Sequence, residues 1–357
     1  MRIGLDATPL LGNRTGVGRY TLSLLTALTD YDDELVATAF TFRGRDELAA
    51  AVPPRVQVAS RPAPARGLQE LWSRGEWPPV ELLSGPFDVF HATNFVLPPL
   101  RRGRGVVTIH DLSYLRHPDT VSAASSRYRE LVPRSLKRAS VVVTPSQATA
   151  EEVIAEYGLT VPVVVTPLGV GPQWAAAQPP DEQLRARLGL PSSYLLFVGT
   201  LEPRKDLRTL LAAHRLLPDA PPLVLVGPPG WGAQVDVSGC ITLGFLGDDV
   251  LPSVVAGAAA LVLPSRDEGF GLPVVEALSA GTSVVASDLA VLREVGGAVT
   301  TYAEAGNPAA FAAALQEVLA DPGDPSGRRT HGSAFTWARC AEATRSAYSL
   351  ALSSAPR

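Results

Sequence analysis

Cysteine, lysine and long apolar stretches are all scarce in this sequence. The 357 residues include two cysteines, Cys240 and Cys340, which provide neither a disulfide framework nor a pair with metal-ligand spacing. No apolar run approaches the roughly 20 residues of a membrane-spanning helix, and the amino terminus lacks the long apolar stretch of a signal peptide. These absences argue against a membrane-spanning protein and a disulfide-stapled secreted domain, and we expect a cytoplasmic location.

Two familiar nucleotide-binding motifs are missing as well. The loop 12–20 reads GNRTGVGRY, and Thr21 stands where a GxGxxG motif would place its third glycine. The only lysines of the sequence are Lys137 and Lys205, and neither follows a glycine as the P-loop motif requires. A dinucleotide-binding motif and a P-loop NTPase are therefore both excluded.

The composition is that of a globular protein with a substantial core. Hydrophobic residues make up 46% of the chain and charged residues 18%, and the formal net charge is −4. A chain of this length suits two domains of roughly 150 residues each. We expect no nucleic-acid partner.

Short apolar runs alternate with helix-like stretches along the chain. Runs such as 2–7, 106–111 and 140–146 are rich in β-branched residues, as buried parallel strands are. A second alternating set extends from 194 to 287. The pattern predicts an α/β protein with two Rossmann-like, doubly wound domains facing each other across a cleft. The expected bounds are 1–168 for the N-terminal domain, 169–192 for the interdomain connection, 193–334 for the C-terminal domain and 335–357 for a final helix.

The most informative segment is 264–276, which reads PSRDEGFGLPVVE and follows an apolar run. Pro273 suits the first turn of a helix and Gly281 suits its end. The loop 269–271 therefore lies at a helix N-terminus, where backbone N–H groups and the helix dipole favour a phosphate. Glu268 and Glu276 bracket this loop and fit the hydroxyls of a nucleotide sugar. The alternative is an ordinary βα turn in which Glu276 is a solvated acid.

A second charged loop follows the strand-like run 194–200. Arg204 and Lys205 lie together in it, where they place two cations at the carboxyl edge of the predicted sheet. A diphosphate is the ligand that such a pair fits. The alternative is a solvated charged turn.

One histidine of the first half also lies at a predicted strand end. His110 is the next-to-last residue of the run 106–111, and a side chain at that point lies at the carboxyl edge of the sheet, where ligands bind. Asp111 either orients His110 or caps the next turn. His91, at another strand end, is either structural or on the acceptor side.

Several of these segments resemble the retaining glycosyltransferases of family 4. The run EGFGLPVVEALSAGT resembles the Glu-x7-Glu segment of that family, GTLEPRKD resembles its Gly-x-Leu-x-x-x-Lys-Asn segment, and Phe335-Thr336-Trp337 resembles the start of its last helix. With the N-terminal glycine loop, the resemblance extends over essentially the whole chain. Three positions differ from the family pattern, namely Asp206 where asparagine is usual, Ser283 where proline is common and Gly296-Gly297 where Gly-Asp is common.

The resemblance implies the GT-B fold, with the final helix crossing back to the first domain. It makes 1–168 the acceptor-side domain and 193–334 the domain that binds the nucleotide-sugar donor. It also implies that Glu276 holds the donor ribose, that Glu268 and His110 lie beside the transferred sugar, and that Arg204 and Lys205 grip the diphosphate. The expected catalytic residues are His110, Glu268, Arg204 and Lys205, and the expected donor-binding residues are Gly16, Gly18, Gly199, Arg204, Lys205, Glu268, Gly269, Phe270, Gly271, Leu272 and Glu276.

The function expected from this resemblance is transfer of a hexose to an acceptor hydroxyl with retention of anomeric configuration. Mannose from GDP-mannose is the first hypothesis for the donor, and UDP-glucose, UDP-N-acetylglucosamine and a deoxysugar donor stay open. The acceptor is expected to be a glycan, a lipid-linked saccharide or a small natural product. We expect no cofactor and no metal, because protein cations face the leaving phosphate. The alternatives are a sugar-nucleotide epimerase of the same fold and a non-catalytic sugar-nucleotide-binding partner in a biosynthetic complex.

The basic charge of the chain is concentrated in residues 101–138. Nine arginines and lysines there face three acidic residues, so that the segment carries +6 within a chain of −4. A solvated helix face is one interpretation. The other is peripheral contact with an anionic membrane at the inner face of the plasma membrane.

Overall fold

The computed structural model describes residues 1–12, 16–41, 45–117, 125–231 and 235–354. The chain divides into two compact units. The first is formed by Met1–Leu115, Ala123–Leu168 and Trp337–Arg357, and the second by Arg116–Ser122 and Gly169–Thr336. No helix among the described residues is both long enough and apolar enough to pass through a bilayer.

The first unit is built on a parallel sheet. In the described residues this sheet has seven strands in the order β3-β2-β1-β4-β5-β6-β7. Its elements along the chain are β1 (Arg2–Asp6), α1 (Gly16–Leu28), β2 (Glu34–Thr38), α2 (Arg45–Ala51), β3 (Gln57–Val58), α3 (Ala65–Arg74), α4 (Glu81–Ser84), β4 (Val89–Ala92), β5 (Arg104–Thr108), α5 (Ser113–Arg116), α6 (Tyr128–Arg138), β6 (Val141–Thr144), α7 (Gln147–Tyr157) and β7 (Val163–Val165).

The second unit has a parallel sheet of its own. Its six described strands lie in the order β10-β9-β8-β11-β12-β13. Its elements are α8 (Pro172–Ala175), α9 (Glu182–Leu188), β8 (Leu195–Val198), α10 (Leu207–Leu216), β9 (Leu223–Val226), β10 (Ile241–Gly244), α11 (Leu251–Ala256), β11 (Ala260–Leu263), α12 (Leu272–Ala280), β12 (Val284–Ser287), α13 (Ala290–Gly296), β13 (Thr301–Ala303), α14 (Pro308–Ala320) and α15 (Pro325–Gly332).

The last helix, α16 (Trp337–Ser353), belongs to the first unit. It packs against α1 and against β4, β5, β6 and β7. Its buried face includes Cys340, Thr344, Ala347 and Tyr348. Residues from the end of the chain therefore complete a sheet layer that the beginning of the chain starts.

Local sequence explains most of the element bounds. Ser146 caps α7 by accepting the N–H of Thr149, and Gly158 ends that helix in the left-handed region. The central strands β8 and β11 are apolar throughout and fully buried, as strands covered on both faces must be.

The sequence pattern missed some elements. The strands β3 and β13 and the helices α13 and α15 were not predicted, because short edge strands and short helices carry too few residues for a periodic signal. The segment 169–192, expected to be a connection, groups with the second unit and contains α8 and α9. The sequence pattern also predicts a helix over 121–139. In the structure α6 begins at Tyr128, and residues 118–124 lie outside the described residues.

Candidate active site

Each sheet has a point at which the strand order reverses. In the second unit this point lies between β8 and β11, because the chain passes from β8 to β9 and β10 and then returns to the other side. Ligands of open α/β sheets bind at the carboxyl ends of the strands beside such a reversal. The loops that follow β8 and β11 carry the cations and carboxylates singled out in the sequence.

The loop after β11 leads into α12 as the sequence predicts. Pro273 lies in the first turn, and Gly281 ends the helix in the left-handed region. Gly271 has φ +92°, and a Cβ there would lie 2.6 Å from Leu292, so both backbone and space require glycine. The N-terminal N–H groups of α12 therefore lie at the carboxyl edge of the sheet, where a phosphate is favoured.

Only the backbone of Phe270 is suited to a ligand. Its side chain is 5% exposed and packs edge-on against Phe335, with ring centroids 5.8 Å apart. The ring thus belongs to the core of the second unit. The neighbouring predicted residues Gly269 and Leu272 continue the same turn into α12.

Two cations converge on one buried carboxylate. Lys205 Nζ lies 2.5 Å from Glu268 Oε1, and Arg204 Nη1 lies 3.3 Å from Glu268 Oε2. Ser265 Oγ donates to Glu268 Oε1 at 2.7 Å. Burial alone would raise the pKa of the Glu268 carboxyl, but Lys205 and Arg204 outweigh burial and hold that pKa below its usual value. Glu268 is therefore an anion at neutral pH.

The Arg204 side chain is fixed from two further directions. Its Nη2 and Nε donate to Glu202 Oε1 at 2.9 and 3.2 Å, and its Nη1 donates to the backbone oxygen of Asp267 at 2.8 Å. The backbone N–H of Arg266 donates to Arg204 O at 2.9 Å, which joins the two loops. Glu202 was not predicted as a site residue, although an acid two positions before an arginine in one loop was a visible signal.

Asp206, where the family pattern has asparagine, has a structural explanation. It adopts φ +46° and caps α10 by accepting from the N–H and hydroxyl of Thr209. Aspartate and asparagine are the non-glycine residues that best tolerate this backbone and this cap. Aspartate at 206 is therefore compatible with the turn that carries Arg204 and Lys205.

Glu276 is the fifth residue of α12 and is 3% exposed.

Gly199 follows β8, and its N–H donates to Val226 O at 2.9 Å. A Cβ on Gly227 would lie 2.0 Å from Gly199 O, so glycine at 227 permits the close approach of the two turns. Sequence inspection missed Gly227, because one glycine after a strand is a weak signal.

Two aromatic side chains at the same sheet edge were also missed. Trp231 follows β9 and is 42% exposed, and Phe245 follows β10 and is 63% exposed. Exposed rings at the carboxyl edge are suited to stacking on a nucleobase. Neither residue belongs to a charged or glycine-rich motif, so nothing in the sequence singled them out.

In the first unit, His110 lies two residues beyond β5 and is 9% exposed. Its Nε2 lies 2.8 Å from the backbone oxygen of Thr93, so Nε2 carries the hydrogen of the neutral ring and Nδ1 is the acceptor. Burial lowers the pKa of His110, and the Thr93 contact and Asp111 only partly offset this. The Tyr20 ring packs edge-on against it at 5.1 Å.

The structure decides between the alternatives for two neighbouring residues. Asp111 Oδ1 accepts from the N–H and hydroxyl of Ser113, so Asp111 caps the turn that begins α5. His91 is fully buried between Tyr348 and Thr108, at 2.8 and 2.7 Å, and its pKa is lowered to about 3 by burial and by His110. His91 is therefore a neutral structural residue.

Gly16 and Gly18 are the first and third residues of α1. Their N–H groups thus belong to the first helical turn, which has no intrahelical acceptors for its amides. Residues 13–15 of the same loop lie outside the described residues. These two glycines and His110 belong to the first unit, and the other predicted site residues belong to the second.

Several cations of 101–138 are bound within the protein. Arg127 pairs with Glu70 at 2.6 Å, and Arg138 pairs with Glu76 at 2.7 Å with only 8% of its side chain exposed. Arg129 donates to Tyr114 O and Arg104 to Ser354 O. The net charge of the segment therefore overstates the charge that it presents to solvent.

One Asp-x-Asp triplet occurs in the chain, Asp30-Tyr31-Asp32. It lies in the turn between α1 and β2, with both aspartates exposed. This turn is at the amino edge of the sheet, opposite the edge where ligands of such sheets bind.

Comparisons with known proteins agree with these features. Residues 14–174 match the family model "Glycosyltransferase Family 4", and residues 192–321 match "Glycosyl transferases group 1". O-antigen chain mannosyltransferase B of Escherichia coli is 33% identical over 283 residues, which cover 73% of this chain and 74% of the relative.

The fold is shared with solved structures. Sucrose-phosphate synthase from Thermosynechococcus elongatus matches with a TM-score of 0.71 at 20% identity, covering 99% of this chain and 96% of that one. Anabaena HepE, in complex with UDP-glucose, matches with a TM-score of 0.67 at 18% identity, covering 96% and 98%. The expected GT-B fold is confirmed. Taken together, the two parallel sheets, the family models and the extended match to a mannosyltransferase show that the chain belongs to the family 4 glycosyltransferases.

Proposed function

We propose that this glycosyltransferase moves mannose from GDP-mannose to an acceptor hydroxyl with retention of anomeric configuration. The observation that carries the proposal is the convergence of Arg204 and Lys205 at the strand reversal of the second unit, beside the N-terminus of α12. The choice of mannose is supported by the similarity to O-antigen chain mannosyltransferase B. The acceptor class is a hydroxyl-bearing glycan, lipid-linked saccharide or small molecule.

In the proposed complex the donor diphosphate replaces Glu268 as the counter-charge of the two cations. Charge builds up on the departing phosphate in the transition state, and fixed cations and helix N–H groups stabilise that charge without reorganisation. Glu202 holds Arg204 in place during this exchange. Glu268, released from Lys205, then accepts a hydrogen bond from a hydroxyl of the transferred sugar.

The remaining donor contacts follow from position and chemistry. We assign the ribose hydroxyls to Glu276 and the phosphates to the amides of Gly199, Gly269, Phe270, Gly271 and Leu272, with Gly16 and Gly18 as further amide donors. For His110 we propose a hydrogen bond to a hydroxyl of the transferred sugar, accepted by Nδ1 because Nε2–H is donated to Thr93. A neutral imidazole also does not repel the positive charge that develops at the anomeric carbon.

We propose that the reaction requires no metal ion and no cofactor. Arg204 and Lys205 supply the positive charge that a divalent cation provides in other transferases. Activity in excess EDTA equal to activity with added Mg²⁺ or Mn²⁺ is the expected result. Loss of activity in EDTA that Mn²⁺ restores would refute metal independence.

For residues 101–138 we propose peripheral contact with an anionic membrane. Its exposed cations Arg101, Arg102 and Lys137 would carry it. Co-sedimentation with vesicles containing anionic lipid is expected to weaken when these three are reversed to glutamate. Unchanged co-sedimentation would leave the segment an ordinary solvated surface.

A donor screen tests the central proposal. The protein is incubated with GDP-mannose, UDP-glucose, UDP-N-acetylglucosamine and deoxysugar nucleotides, with a panel of acceptors, and nucleoside diphosphate release is followed. GDP-mannose is expected to give the highest kcat/KM, and NMR of the product is expected to show the α configuration of the donor. Binding of a donor without release under any condition would instead identify a non-catalytic binding partner, and an epimerised sugar nucleotide would identify an epimerase.

A further inference from the structure

The first unit has its own strand reversal, between β1 and β4. Asp6 ends β1, Thr93 follows β4 and His110 follows β5, so polar residues terminate three adjacent strands. Thr93 Oγ1 donates to Asp6 O at 2.6 Å, and Thr93 O accepts from His110. These contacts hold the three residues together at the position where such sheets bind ligands.

The amide of Asn94 and the phenol of Tyr128 lie beside these strand-end residues. Asn94 Nδ2 donates to Tyr128 OH at 3.3 Å. Because Tyr128 accepts this bond, its own hydroxyl hydrogen can be donated elsewhere, and Asn94 retains its carbonyl oxygen as an acceptor. Burial raises the pKa of Tyr128, so the phenol stays protonated at physiological pH.

The backbone between these residues is strained. Phe95 adopts φ +59°, a conformation that costs free energy for a bulky residue and persists only where surrounding contacts impose it. Its ring lies 4.5 Å from the Tyr128 ring and 5.6 Å from that of His110, and its N–H donates to Thr108 O. Strain of this kind occurs at binding sites, where it holds side chains in place.

Two carboxylates, Asp6 and Asp111, act on this site. Burial raises the pKa of Asp6 to about 6, although bonds from Thr8 oppose the shift. Asp6 is therefore mostly ionised above pH 6 at a cost in stability. Asp6 and Asp111 both raise the pKa of Tyr128, which shows that their negative charge reaches the phenol.

We propose that Asp6, Asn94 and Tyr128 form the acceptor subsite and that it takes a neutral polyhydroxyl group, such as the terminal sugar of a glycan. This inference rests on the proposed function and names its acceptor class. A carboxylate, an amide and a phenol beside aromatic rings supply the acceptors, donors and apolar faces that a sugar requires. A phosphate or carboxylate at the same position would be repelled by Asp6.

The test measures binding of small acceptor probes to the intact protein by NMR saturation transfer and titration. The neutral probes are methyl α-mannoside, methyl α-glucoside, methyl β-galactoside and myo-inositol, and the anionic probes are mannose 6-phosphate and glucose 6-phosphate. At least one neutral sugar is expected to bind saturably, and its 6-phosphate is expected to bind at least ten-fold more weakly. Asp6→Asn and Tyr128→Phe are each expected to raise the Kd of the neutral probe about ten-fold.

Asp32→Asn is the matched control, because Asp32 is exposed at the opposite edge of the sheet. It is expected to leave the Kd of every probe unchanged. Equal or tighter binding of the phosphorylated sugars, no saturable binding of any neutral probe, or an unchanged Kd in both Asp6→Asn and Tyr128→Phe would overturn the proposal.

The affinity for GDP separates this test from the proposed function. GDP binding and slow donor hydrolysis without acceptor are measured in the wild type and in the control Asp32→Asn, and the same values are expected for both. If GDP binds while the neutral probes do not, the acceptor subsite is wrong and the donor assignment stands. If GDP and all other nucleoside diphosphates fail to bind, the donor assignment is wrong, whatever the probes do.

Discussion

The two strand reversals of the molecule share a topology and differ in charge. In the second unit, Arg204 and Lys205 meet the carboxylate of Glu268 beside the amides of α12. In the first unit, the same position carries Asp6, Asn94 and a neutral His110. One arrangement is suited to a diphosphate, and the other is suited to uncharged hydroxyls.

The contrast shows that the chemistry of the loops, not the sheet, determines which ligand each reversal accepts. Both sheets are parallel and place their loops at the carboxyl edge. Two sheets of the same architecture can therefore be suited to ligands of different charge.

Lys205→Ala is expected to have the largest effect. It removes one of the two cations and leaves Glu268 with a single counter-charge, so kcat/KM for the donor should fall about 10²- to 10³-fold. Steady-state kinetics with the best donor of the screen measures this. The control is Arg187→Ala, which removes an exposed cation on α9 of the same unit. Near-normal turnover in Lys205→Ala would show that the cation pair is not the diphosphate site.

Glu276→Gln tests the ribose contact. The amide keeps the volume of this buried side chain but loses the charged acceptor, and the KM for the donor should rise about 100-fold with a smaller change in kcat. The Kd for GDP, which retains the ribose, should rise in parallel. Equal affinity for GDP in the variant and the wild type would contradict the assignment.

Asp6→Asn tests whether the pKa of the Asp6 carboxyl is raised in the folded protein, through the pH dependence of the free energy of unfolding. The pKa of Asp6 is about 6 in the folded state and near 3.8 when unfolded, so the folded state binds the proton more tightly. Its contribution to the free energy of unfolding is therefore present at low pH and is lost as pH rises through about 6. We expect the wild type to lose about 2 to 3 kcal/mol more than Asp6→Asn between pH 4 and pH 8. Parallel stability curves of the two proteins, from denaturant titrations, would show that Asp6 is not perturbed.

Glu202→Gln is expected to have the smallest effect. Glu202 is a positioning residue that holds Arg204, and loss of its charge should lower kcat about ten-fold with little change in the KM for the donor. Glu202→Asp, which keeps the charge, should recover part of the loss. An equal loss in both variants would indicate a general structural role instead.

The candidate site residues of the second unit were easier to select from sequence than those of the first unit. The residues from 199 to 205 and from 268 to 276 lie in two compact motifs, and each motif spans one turn at the reversal. The proposed acceptor subsite combines Asp6, Asn94 and Tyr128, which are far apart in sequence and belong to no motif. Their proximity follows from strand order, and strand order cannot be derived from periodicity alone. Burial, which decided that His91 is structural, was equally invisible in the sequence.

The placement of α16 has a consequence for synthesis on the ribosome. The first unit requires Tyr348 as the partner of His91, so it cannot be completed until residue 348 has emerged. Residues 169–336, which form nearly all of the second unit, emerge earlier and are contiguous. Domains usually fold in the order of their synthesis. Here the second unit is the first to have its residues available, and the sheet of the first unit must wait for α16.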